Sequence, residues 1–130
     1  MATPCNSGYT ECAKFLAGEA ADVFKYVAVG TGTGQGAAHT KLAAETEVAG
    51  MARVAADTCK TVKTTIDNDT HQLIEKFTAG AAVHIKEAGA FNNAVKDLGD
   101  MLMVGDLAPS ADMAINDTLT ITLQTQIKGA

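Results

Sequence analysis

Phe24-Lys25-Tyr26-Val27-Ala28-Val29-Gly30-Thr31-Gly32-Thr33-Gly34-Gln35-Gly36 is an aromatic, β-branched run that breaks into alternating glycines. Tyr26, Val27 and Val29 suit a pleated, half-buried surface, so Phe24 to Val29 is expected to be a strand. The glycines beyond it let the chain leave that strand in a direction closed to other residues. How this loop is read decides the fold. A strand followed by Gly32-x-Gly34-x-x-Ala37 superficially matches a dinucleotide fingerprint, which would require a helix and then a parallel strand. The chain continues instead as a long alternating stretch, and no acidic residue ends a strand at the distance a ribose would need. Gly36-Ala37-Ala38 also lacks the Lys-Ser/Thr of a phosphate-binding loop. The glycines are therefore expected to shape a strand exit in an antiparallel protein, with no cofactor bound.

Towards the amino terminus the pattern is helical. Tyr9, Cys12, Ala13, Phe15, Leu16 and Ala17 recur at spacings of three and four, predicting a short helix from Tyr9 to Ala17 with Ser7 as N-cap and Gly18 past its end. Pro4, Asn6, Ser7 and Gly8 break structure, so residues 1–8 are expected to be a flexible arm and residues 9–130 a single domain.

Towards the carboxyl terminus, Thr40 and the Leu42-Ala43-Ala44 run predict one helical turn. Arg53 to Asp67 then alternates, with Val54, Ala56, Thr58, Val62, Thr64 and Ile66 on one face. Lys60 interrupts that face, which predicts a bulge or an edge position. Asp67-Asn68-Asp69-Thr70 is a turn cluster, and His71 to Ala79 alternates through Leu73 and Phe77, so the two runs read as a long antiparallel hairpin. Val83 and Ile85 mark a strand running towards Asn93, Met101 to Val104 a short buried strand, and Pro109-Ser110 a turn. Leu119, Ile121, Leu123 and Ile127 alternate with Thr120, Thr122, Gln124 and Gln126, the clearest period of two in the chain. The expected class is mainly β: an antiparallel, jelly-roll-like β-sandwich with a short N-terminal helix and a flexible N-terminal arm.

Composition narrows the function. A chain of 130 residues is one domain by length, burying roughly two thirds of its unfolded surface. Aromatics make up 5% and Trp is absent, so the core must be built from small and aliphatic side chains, and neighbouring copies would usefully extend it. A net charge of −5 without a Lys/Arg cluster speaks against nucleic acid as a partner. No apolar run reaches the length of a membrane span, and Met1 to Gly8 lacks the regions of a signal peptide, so synthesis in a cytosol is expected.

The candidate chemistry is sparse. Cys5, Cys12 and Cys59 are odd in number and irregularly spaced, unlike a secreted disulfide scaffold. Three free thiols are the default, with Cys5 in the arm and Cys12 on the helix as the candidates for pairing between subunits or with Cys59. His39, His71, His84 and the cysteines form no metal-ligand spacing, and His84, between Val83 and Ile85, should face solvent. Ser7 and Ser110 stand in no nucleophile motif, Cys59 has no apparent local base, and the spacing of Glu45, Glu47, Glu75 and Glu87 brings no two together. No catalytic, cofactor or metal residue is expected. Arg53 is the sole arginine, and Glu87 shares the inward face of Val83 and Ile85. Because an inward carboxylate must be paired or protonated, Arg53 and Glu87 are expected to meet as a structural ion pair.

The order of motifs carries a resemblance. Tyr26-Val27-Ala28-Val29-Gly30-Thr31-Gly32-Thr33, then Thr40-x-Leu42-x-x-Glu45, then Arg53 opening a strand, resembles a family of small tailed-bacteriophage structural proteins. Ile85-Lys86-Glu87-Ala88-Gly89-Ala90-Phe91-Asn92, Gly99-x-Met101-Leu102 and the closing strand from Thr118 to Ile127 are similar to its second half. The chain departs from that pattern at Met103-Val104, where a basic residue often follows Met-Leu, and in its cysteine-bearing amino-terminal segment. The resemblance implies a β-sandwich virion component, tail- or fibre-associated or capsid-decorating. With no added fibre repeat, the expectation is a non-enzymatic structural protein of the virion. It would act by self-association (a homo-oligomer) and by packing on a neighbouring major capsid or tail protein, without nucleic acid or membrane. The alternative is a host-recognition or carbohydrate-binding module of a tail fibre, which would ask for more exposed aromatics than Tyr9, Tyr26 and four Phe, most on predicted core faces.

Overall fold

The computed structural model describes residues 3–19, 22–34 and 36–127. Its elements are strand β1 (Thr3–Pro4), helix α1 (Asn6–Ala17), and strands β2 (Tyr26–Gly30), β3 (Val54–Ala55), β4 (Thr58–Val62), β5 (Thr70–Thr78), β6 (Val83–Phe91), β7 (Met101–Met113) and β8 (Thr118–Gln126). They form two antiparallel sheets, one of five strands ordered β1-β7-β6-β2-β3 and one of three ordered β4-β5-β8. The protein is mainly β, an antiparallel sandwich with one short N-terminal helix. Among the described residues no helix is long and apolar enough to cross a membrane.

Alternation along the strands builds two apolar layers. Val27 and Val29 face the core between the sheets, with Leu73 and Phe77 of β5 and Ile121 and Leu123 of β8 opposite them. Tyr26 and Ala28 face the other way, into a smaller cluster with Cys5, Leu42, Phe91, Met101 and Val104 on the outer side of the five-stranded sheet. The register between β6 and β7 steps from Ala90↔Met103 to Phe91↔Met101, leaving Leu102 as an extra residue. Such a bulge turns two successive side chains to one side, and Leu102 and Met103 both enter the inner core while Met101 and Val104 face outward.

The amino-terminal segment departs from expectation. The arm expected over residues 1–8 is, from Thr3 onward, built into the fold, and Met1 and Ala2 lie outside the described residues. β1 pairs with Met103 and Val104, and the Cys5 N–H donates to the Leu102 carbonyl at 2.9 Å. The helix starts at Asn6 rather than Tyr9, with Cys5 as N-cap and no side-chain cap bond. Ser7 is used differently: its hydroxyl donates to the Met101 carbonyl at 2.8 Å, tying helix to sheet. Gly8 permits this approach, because a Cβ there would lie 2.7 Å from the Leu102 carbonyl oxygen. Gly18 ends the helix as predicted, left-handed at φ 75°.

Three further expectations are corrected. The run from Arg53 to Asp67 is not one strand. Val54 and Ala55 pair with β2, while residues 58–62 pair with β5, so the chain crosses between sheets and closes that side of the sandwich. β4 is indeed an edge, as Lys60 implied. No helical turn forms at Leu42-Ala43-Ala44, because the Ala43 and Ala44 N–H groups donate to the Glu87 carboxylate instead of to a helical carbonyl. The strand opening at Met101 continues through Pro109 to Met113. Pro109 is tolerated because the ladder slips between Glu87↔Asp106 and Ile85↔Ala111, where a missing N–H breaks no regular pair.

Candidate binding cleft

Buried charge in this protein fastens loops. Glu87 is fully buried, and its carboxylate accepts the N–H groups of Gly32, Ala43 and Ala44 at 2.7, 2.8 and 2.9 Å. The Gly34 N–H donates to Asp106 and the Gly36 N–H to His39 Nδ1. These glycine-loop amides thus meet acceptors of the protein itself, and two of the acceptors are carboxylates that would repel a phosphate.

Arg53 does close on a carboxylate, but on Glu45 and not the expected Glu87. Its Nη2 lies 2.6 Å and its Nε 3.0 Å from the Glu45 oxygens, with both side chains buried. Nη1 donates to the carbonyls of Asn93 and Leu98, and the guanidinium stacks 3.7 Å from the Phe91 ring centre. The planar fork explains the choice. Glu45 sits on the segment bridged to Gly30 and presents both oxygens, whereas the Glu87 oxygens already receive three backbone donors. At the hairpin turn Asp69 does similar work, taking N–H bonds from Thr64, Thr65 and Ile66 and one from the Gln126 amide.

The open surface is of another kind. Between α1, the segment before β2 and the β4–β5 end of the smaller sheet lies a cleft of ≈ 410 Å³, lined chiefly by Cys12, Phe15, Phe24, Cys59, His71 and Ile127. His71 is placed by β5, and its Nε2 lies 3.0 Å from the Phe24 carbonyl and 3.8 Å from Cys59 Sγ. Donating from Nε2 leaves Nδ1 as the bare nitrogen, and that atom is buried without a partner. Burial lowers the His71 pKa and raises those of the Cys12 and Cys59 thiols. The imidazole is therefore neutral and both sulfurs are protonated near neutral pH, so this pair holds no ready thiolate. Exposed Leu16, Val23 and Ile127, at 91%, 57% and 65% accessibility, add apolar surface on the helix and beside the cleft. Such a surface is suited to being covered by apolar groups.

The two thiols considered for pairing between subunits separate here. Cys5 has no accessible surface and burial pushes its pKa up to about 11, so in this fold it is closed to a neighbour, contrary to expectation. Cys12 is half-buried in the cleft wall. His84 is exposed as expected and pairs with Asp112 at 2.7 Å. The Cys59–His71 contact was readable in principle, since Thr61↔His71 and Cys59↔Leu73 make the two side chains diagonal neighbours across the hairpin. Glu45 and Asp69 carried no periodic signal. Among the described residues, no group of three His, Cys, Asp or Glu side chains is placed to hold a metal. No protein-family model matches the chain, and no curated protein matches it either.

Proposed function

We propose that this protein is a non-enzymatic structural component of a tailed-bacteriophage virion, seated on a neighbouring capsid or tail protein through the cleft beside α1. The observation that carries the reading is that cleft: a largely apolar opening with Lys60 as its one charged lining residue, set next to a helix whose Leu16 is almost wholly exposed. A surface of this composition is costly to leave in water and is stabilised when a partner covers it. The order of motifs supports the particle, and the buried carboxylates support the mode of action. They hold loops still, so that a rigid body is presented for packing.

The test is to purify virions from the source phage and locate the chain by mass spectrometry and particle imaging. Stoichiometric copies in contact with a shell or tail protein through the α1 face are expected. Replacing Leu16 with Asp, on an exposed position that leaves the core untouched, should abolish incorporation while the melting temperature holds. Particles that lack the chain would overturn the reading.

A further inference from the structure

The edges of the two sheets are not alike. β1 and β3 are two residues long, and β4 carries Lys60 and runs on to Lys63. The outer half of β7 carries Asp106, Pro109 and Asp112, and its ladder is broken by a register slip. Each of these is a recognised device against edge-to-edge association: shortness, charge, proline or a bulge. β8 has none of them. Thr118-Leu119-Thr120-Ile121-Thr122-Leu123-Gln124-Thr125-Gln126 contains no charge, no proline and no glycine. It pairs with β5 residue for residue over its full length without a slip, so its ladder is regular. It is also the outermost strand of its sheet.

We infer that β8 is the surface through which two copies of this chain join, antiparallel about a two-fold axis at Thr122, making one six-stranded sheet from two three-stranded ones. The occupant is set by charge and pattern. A molecule of net charge −5 repels its own copy, and along this edge it can approach that copy without setting like charges opposite one another. About Thr122 the rows match. Thr120 falls opposite Gln124 of the second copy, Thr122 opposite its own equivalent, and inward-facing Ile121 opposite Leu123. The added strand, about 4.8 Å outside β8, would also cover the opening lined by Leu107 and Leu119 between the β7 and β8 edges.

This inference takes up the self-association expected from the sequence and uses the strand edge centred on Thr122, whereas the α1 cleft is lined from this stretch only by Thr125 and Ile127, so it and the virion reading can fail separately. The purified chain is examined by sedimentation velocity across a dilution series, as wild type and as Thr122→Lys and Thr122→Glu. Thr122 is exposed, and unchanged melting temperatures establish that the variants fold. The wild type is expected to dimerise. Either variant alone should weaken the dimer roughly tenfold or more, by facing a like charge across the axis, and an equimolar mixture of the two should restore it. A wild type that stays monomeric throughout, or an oligomer indifferent to both substitutions, would overturn the inference. A dimer that behaves as described yet never enters particles would leave it standing and remove the virion reading instead.

Discussion

On its inner face the five-stranded sheet meets Leu73, Phe77, Ile121 and Leu123 of the other sheet, side chain against side chain. On its outer face it meets the segment leading to Glu45 and the turn around Asn93 to Leu98, which bring Leu42 and little else apolar. The inner face is held by buried area, the outer by a few carboxylates with backbone N–H groups and one arginine as partners. The difference teaches where each kind of cohesion is written. Apolar packing is spread over many residues, whereas the loop cover depends on Glu87, Glu45 and Arg53.

The contrast can be broken first at its apolar side. Phe77→Ala should cost about 3–5 kcal/mol, as large-to-small changes in a packed core do, and urea unfolding should show one cooperative transition moved to lower denaturant. Arg53→Ala comes next, at roughly 3 kcal/mol, because it strands the Glu45 carboxylate in a buried site. Arg53→Lys should recover only part of this, since an ammonium cannot span both carboxylate oxygens and two carbonyls. Glu87→Ala should cost about 2–3 kcal/mol, less because the released Gly32, Ala43 and Ala44 amides stand near solvent. Hydrogen exchange should then quicken at those three amides before the inner strands respond. Uniform acceleration across both faces would erase the distinction between them.

The smallest effect is a pH slope. Burial alone would raise the Asp69 pKa, but the N–H groups of Thr64, Thr65 and Ile66 and the Gln126 amide outweigh it and hold the carboxyl well below its ordinary value of 3.8. The unfolded chain then takes up the proton first as pH falls, so this contribution is complete above about pH 5 and is lost progressively below it. Thermal melts of Asp69→Asn should lack that portion of the acid-side decline, and a parallel decline in variant and wild type would contradict the assignment.

The same division explains how much was legible beforehand. The period of two at Leu119, Ile121 and Leu123 and at Leu73 and Phe77 is imposed by the inner core, and those strands stand where the pattern puts them. The turn at Asp67 to Thr70 and the glycine stop of the helix are local chemistry, equally readable. Glu45 as the partner of Arg53 was hidden, because it depends on how a long loop folds back over the sheet, and no spacing encodes that. The crossing between β3 and β4 was hidden for a related reason: unbroken alternation does not record which sheet a strand joins. The cleft as a whole was hidden, since Cys59 and His71 meet across the hairpin but Cys12 and Phe15 join them only after the helix docks.

Cys5 offers a last consequence. It lies in the outer cluster with Leu42, Phe91 and Met101, with no accessible surface. A water-soluble alkylating reagent can therefore reach it only when residues 3–8 or the loop carrying Leu42 lift away, whereas exposed Cys59 is open from the outset. Timed native-state labelling, with Cys59 as the internal standard, would clock how often that cover lifts off and how firmly a neighbour on the particle clamps it down.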